Sequence, residues 1–88
     1  MNSLIYLDSI RGLPCLCCSK KAEVHHLDHI GMGRNRKNEL SEHFTAIPLC
    51  REHHTEIHTK GKDAFNIIHR IDVWKEAFKL ITKYMELV

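Results

Sequence analysis

The chain has 88 residues, 43% of them hydrophobic, and a formal net charge of +2 at pH 7. This length fits one domain, and chains this short usually need a staple besides their hydrophobic core, that is, a cross-link such as a disulfide or a structural metal ion. No apolar run approaches the roughly 20 residues that span a bilayer, and the N-terminus lacks the pattern of a signal peptide, so we expect a cytosolic protein without a membrane partner. Four cysteines and eight histidines offer the staple, because cytosolic cysteine pairs more often hold metal than form disulfides.

The first half of the chain predicts one helix and two strands. Apolar spacing predicts a helix over residues 3–11, and alternation predicts a strand over residues 22–30. Glycine, asparagine and charged residues at 31–43 predict an exposed loop. Residues 44–49 predict a second short strand, which Pro48 would end or confine to a sheet edge.

The second half predicts three helices. The first runs over residues 50–58 and is closed by Gly61. Asp63 is placed to cap a short helix through Ile68, and Asp72 to cap a last helix that reaches residue 88. We expect the apolar stripe of this last helix to pack into the core; it comprises Val73, Trp74, Ala77, Phe78, Ile81, Met85 and Val88.

Two short motifs have the spacing of zinc knuckles. Cys15 and Cys18 form a Cys-x2-Cys pair, and Cys50 with His53 forms a Cys-x2-His pair. Together they supply the three thiolates and one imidazole of a tetrahedral Cys3His zinc site. The 31 residues between the knuckles are far more than the roughly 12 of a finger-type DNA reader, which disfavours that class. Cys17 is left as a spare thiol.

The remaining histidines suggest a second metal position. His54 and His58 stand four residues apart, on one face of the predicted helix. His53 lies about 100° around that helix from His54, so one ion could hardly use both. Because side chains alternate along a strand, one of the adjacent His25 and His26 could bind a metal while the other faces elsewhere. The zinc-protease motif H-E-x-x-H is absent, which disfavours proteolysis.

The segments CLCC, EVHH, GMGRNRK and IPLCREHHTEIH together resemble the HNH, or ββα-metal, nuclease family, in its small phage and prophage branch. The resemblance covers about residues 14–61 of a single domain that extends over residues 1–88. It implies an α+β fold with a ββα-metal (His-Me finger) core stapled by the Cys3His zinc. The predicted terminal helices, including the helical extension at 63–88, would flank this core.

The resemblance also implies an activity, the hydrolysis of DNA phosphodiester bonds to 5′-phosphate and 3′-hydroxyl ends. It suggests phage recombination or DNA processing as the setting. It assigns His26 as the general base that activates water. It assigns the catalytic divalent ion, Mg²⁺, Mn²⁺ or another metal, to His25, His54 and His58. The structural zinc ligands would be Cys15, Cys18, Cys50 and His53.

Two departures from the family pattern leave alternatives open. Asp28 and His29 also fit the first motif, in which case Asp28 would bind the metal and His29 would be the base. Thr45 stands where the family's middle asparagine is expected. Asn38 or His43 could brace the loop instead.

A basic loop predicts contact with DNA, mainly through its backbone phosphates. The DNA-binding candidates are Arg34, Arg36, Lys37 and Arg51. Two other functions remain open: a zinc-dependent DNA-binding or adaptor module without catalysis, and a structural zinc protein of a larger complex. The second would bind one ion and no DNA.

Overall fold

Two short antiparallel strands lie at the centre of the fold in the computed structural model, which describes residues 1–87. Strand β1 spans Glu23–His26 and strand β2 spans Ala46–Leu49. Their register pairs Glu23 with Leu49 and His26 with Ala46. Pro48 lies inside β2, as expected for a sheet of two strands, in which each strand has a free edge.

Four α-helices and one short 3-10 helix surround this sheet within residues 1–87, so the predicted α+β class is confirmed. In chain order they are α1 (Ser3–Arg11), the 3-10 helix (Ser41–Thr45), α2 (Arg51–Lys60), α3 (Lys62–His69) and α4 (Val73–Leu87). The carboxylate of Asp72 accepts the backbone N–H groups of Trp74 and Lys75 at 3.1 and 3.2 Å, which confirms it as the cap of α4.

Several predicted boundaries were wrong, among them the end of α2 at Lys60 and the end of α3 at His69. The first strand ends at His26 rather than at residue 30, and the chain then leaves the sheet while Leu27 stays buried. Leu27 and Ile30 are thus apolar because a loop, and not a strand, packs them into the core. The second strand begins at Ala46, because the preceding residues form the 3-10 helix. Helix α3 begins at Lys62, one residue before Asp63, after Gly61 turns the chain with a φ of 87° that favours glycine.

The core consists of two hydrophobic clusters on either side of the sheet. The larger cluster buries Ile47, Leu49, Ile57, Phe65, Val73 and Ala77 together with the knuckle residues Cys15 and Cys50. The smaller cluster places Tyr6, Leu7 and Ile10 of α1 against Ala46. Leu80 of α4 packs against both clusters, so α4 connects helix α1 to the knuckle cysteines.

Helix α4 is only partly a core helix. Val73 and Ala77 are buried, as predicted, and Ile81 is half-buried. The prediction was wrong for Trp74, Phe78 and Met85, which are exposed. The side of α4 that packs into the hydrophobic clusters carries Val73, Ala77, Leu80, Ile81 and Tyr84 instead. Val88 lies outside the described residues. None of the helices within residues 1–87 is long and apolar enough to cross a membrane.

Candidate metal centres

The four predicted zinc ligands converge. Their donor atoms all lie within 4.8 Å of one another. His53 Nδ1 is 3.5 Å from Cys15 Sγ and 3.2 Å from Cys50 Sγ, and the Cys18 and Cys50 sulfurs are 3.6 Å apart. A zinc tetrahedron with bonds of about 2.3 Å to sulfur and 2.0 Å to nitrogen has edges of about 3.5–3.8 Å. The cluster therefore has the chemistry and nearly the dimensions of a Cys3His zinc site.

Local backbone geometry explains this convergence. The first knuckle is a tight turn in which Cys15 N–H donates to the carbonyl of Lys20 at 2.8 Å and Ser19 takes a φ of 62°. Cys50 is the residue that precedes α2, so its sulfur lies at the helix N-terminus. There the backbone N–H of His53 lowers the pKa of Cys50 below that of an ordinary thiol, which favours the metal-binding thiolate.

The spare thiol lies beside this cluster. Cys17, His53 and His69 also have donor atoms within 4.8 Å of one another. This group shares His53 with the zinc ligands, and burial raises the pKa of Cys17 to about 11. His69 is held by the carboxylate of Glu56 at 2.6 Å. The favoured four-ligand set is therefore the one without Cys17.

A second group of donors lies at the other side of α2. His25 from β1 meets His54 and His58 from α2, with donor atoms within 4.8 Å of one another. The Nε2 atoms of His54 and His58 are 3.0 Å apart, which suits two imidazoles bound to one ion at about 2.0–2.1 Å. Burial lowers the pKa of His25 to about 3, so its ring is neutral at pH 7 and offers a lone pair.

A carboxylate that the sequence reasoning missed orients this second group. Glu23 Oε1 lies 2.6 Å from His54 Nδ1, which holds the proton of His54 on Nδ1 and directs Nε2 towards His58. The other oxygen of Glu23 pairs with Arg51 at 3.2 Å. A signal was present, because strand alternation places Glu23 and His25 on the same face of β1.

The second group opens into a cavity of about 200 Å³ that His26 also lines. Burial lowers the pKa of His26 to about 4, so this ring too is neutral near pH 7 and can accept a proton. His29 and Arg36 line the same cavity. A neutral imidazole that can accept a proton, three imidazoles that could hold a metal ion and a guanidinium therefore line one small cavity.

The alternative first motif is less well placed. Asp28 is exposed, its backbone N–H donates to Thr45 Oγ1 at 3.0 Å, and it joins none of the ligand groups found in residues 1–87. His29 is also exposed, with its ring centroid 6.5 Å from that of His58. The geometry thus favours His25 over Asp28 as the partner of the α2 histidines.

The predicted DNA-binding residues differ in their ion pairs, and the two predicted bracing residues contact each other. All four candidate DNA-binding residues are exposed, but Arg34 pairs with buried Glu42 and Arg51 pairs with Glu23. His43 is completely buried and contacts both the loop and His26. Asn38 takes part through its backbone carbonyl, which lies 3.0 Å from His43 Nε2.

Comparisons with known proteins place the chain in a family but assign no activity. Residues 1–81 match the family described as "Protein of unknown function (DUF968)". The "Uncharacterized protein YdfU" of Escherichia coli (strain K12) is 38% identical over 55 residues, which are 61% of this chain and 15% of that protein. The chain thus spans a small part of the length of this relative. None of the solved structures gives a significant match. The match over residues 1–81 shows that the chain belongs to the DUF968 family.

Proposed function

We propose that this chain is a metal-dependent DNA endonuclease of the ββα-metal type. The observation that carries the proposal is the shared cavity, in which His26 lies beside the ligand group His25, His54 and His58. Strand β1 supplies His25 and His26, and α2 supplies His54 and His58. With β2 between them in the chain, these elements follow the ββα order. The resemblance to HNH nucleases, drawn from the motifs at 14–61, agrees with this order.

The chemistry divides among the residues of the cavity. His26 accepts a proton from water, which then attacks the phosphorus of a DNA phosphodiester. A divalent ion such as Mg²⁺ or Mn²⁺, held by His25, His54 and His58, would polarise the phosphate and stabilise the charge on the leaving 3′-oxygen. The expected products carry 5′-phosphate and 3′-hydroxyl ends.

Residues around the cavity would bind DNA and stabilise the fold. Exposed Arg36 and Lys37 are placed to contact DNA phosphates, since Arg36 lines the cavity itself. The Cys3His cluster would hold zinc and join the first knuckle to the start of α2. Zinc thereby supports the helix that carries His54 and His58.

Nicking of supercoiled plasmid tests this proposal. Zinc-loaded protein should nick the plasmid when Mn²⁺ or Mg²⁺ is added, and His26→Ala should lower the rate about 100-fold or more, the usual range for a general base. His29→Ala is the matched control, because His29 lines the same cavity and is the base of the alternative motif. Zinc content and circular dichroism should be equal in all three proteins.

Two results would contradict the proposal in different ways. If the wild type leaves the plasmid intact but retards DNA on a gel, the chain is a DNA-binding module without catalysis. If His29→Ala is inactive and His26→Ala is active, the nuclease uses the Asp28–His29 motif instead.

A further inference from the structure

A chain of two hydrogen bonds connects His26 to the loop before β2. His26 Nε2 lies 3.0 Å from His43 Nδ1, and His43 Nε2 lies 3.0 Å from the carbonyl oxygen of Asn38. His43 is fully buried, at 0% exposure, in the 3-10 helix. The ring of His43 thus lies between His26 and the backbone of the loop.

This arrangement determines where the ring protons lie. A carbonyl oxygen only accepts hydrogen bonds, so the proton of His43 must be on Nε2, which donates to Asn38. A neutral imidazole carries one ring proton, so His43 Nδ1 is an acceptor. His26 must then donate from Nε2, and its lone pair is left on Nδ1.

The hydrogen-bond partners of the His43 ring are an imidazole and a backbone carbonyl, and neither is a carboxylate. The adjacent carboxylate of Glu42 is engaged by Arg34.

We propose that His43 is a positioning residue that fixes His26 as the Nε2–H tautomer and leaves Nδ1 as the basic atom of the cavity. This inference rests on the proposed function for its catalytic meaning, but the tautomer itself does not.

The tautomers can be measured without any DNA. Long-range ¹H–¹⁵N correlation spectra of the zinc-loaded, ¹⁵N-labelled chain should show His26 and His43 both protonated at Nε2 and not at Nδ1. A His26 ring protonated at Nδ1, or a doubly protonated His43, overturns the inference. The spectrum decides this even if the wild type cleaves no DNA, so a failure here differs from a failure of the proposed function.

Two substitutions test the consequence for cleavage. His43→Phe keeps the ring volume but removes the acceptor, and we expect kcat to fall about tenfold or more with KM for DNA unchanged. His43→Asn offers a side-chain carbonyl near the position of Nδ1, and it should restore part of kcat and the Nε2–H tautomer of His26. If both variants are folded, contain zinc and match the wild-type kcat, His43 does not position the base.

Discussion

The carboxylate of Glu23 offers the sharpest test of the proposed second metal centre. Glu23 Oε1 lies 2.6 Å from His54 Nδ1, while its other oxygen pairs with Arg51. Glu23→Gln keeps the size of the side chain but removes the negative charge that makes His54 a stronger ligand. Removing such a supporting group typically lowers metal affinity 10- to 100-fold, or about 1.4–2.7 kcal/mol.

Because Glu23 and His54 are partly exposed, we expect a loss of metal affinity near the lower end of this range. The Glu23 side chain is 36% exposed and that of His54 is 21% exposed, so solvent screens the interaction. We therefore expect Mn²⁺ to bind Glu23→Gln about tenfold more weakly than the wild type. Electron paramagnetic resonance of free Mn²⁺ during a titration of the zinc-loaded protein measures this affinity directly.

The chain provides a matched control for this substitution. Glu52 lies near the start of α2, its side chain is 79% exposed, and its ion pair with Lys20 is 3.9 Å long. Glu52→Gln changes the net charge by the same amount without touching a histidine. Equal Mn²⁺ affinity in the wild type and Glu23→Gln, or an equal loss in both variants, would refute the assigned role of Glu23.

Three further predictions address the fold, the base and the DNA surface. Structural zinc contributes roughly 10–16 kcal/mol in small domains, so strong chelation should unfold the chain in circular dichroism; a cooperative metal-free fold would contradict the staple. Burial lowers the pKa of His26 from 6.5 to about 4. Between these two pH values the unfolded chain binds a proton at His26 that the folded chain does not bind, so the free energy of unfolding decreases as the pH falls. We therefore expect the free energy of unfolding, measured by urea titration without added Mn²⁺, to fall by about 1.5 kcal/mol more in the wild type than in His26→Phe between pH 6.5 and 5. An equal fall in both proteins would be inconsistent with a neutral buried ring. Arg36→Ala should weaken DNA binding and reduce the dependence of log affinity on log salt concentration by about one, whereas Arg34→Ala should mainly destabilise the fold by leaving buried Glu42 unpaired. Gel shifts at several salt concentrations measure the first effect, and thermal melts measure the second. If Arg34→Ala weakened DNA binding and Arg36→Ala destabilised the fold, the two assigned roles would be wrong.

Short-range spacing made the two groups of possible metal ligands predictable. Two side chains three residues apart in a knuckle, or four apart on a helix, must lie close together whatever the rest of the fold does. Cys15 with Cys18, and His54 with His58, are pairs of this kind, and each pair lies within one ligand group. The cap at Asp72 was predictable for the same reason, since it depends on its own helix.

Residues that act across the fold were harder to assign. The contact of Glu23 with His54 depends on how β1 packs beside α2, and the contact of His43 with His26 depends on a 3-10 helix that sequence periodicity does not mark. The exposure of Phe78 has the same origin, because apolar spacing on a helix does not reveal how much of its face the neighbouring elements cover.

Location of the bound ions tests the central claim most directly, namely that one set of ligands stabilises the fold and another performs the chemistry. Crystals of the zinc-loaded protein, soaked in Mn²⁺, can be measured at the absorption edges of both metals. We expect a zinc peak among Cys15, Cys18, Cys50 and His53, and a separate manganese peak among His25, His54 and His58. A single ion per chain, or a second ion bound by Asp28 or by Cys17 and His69, would contradict this account.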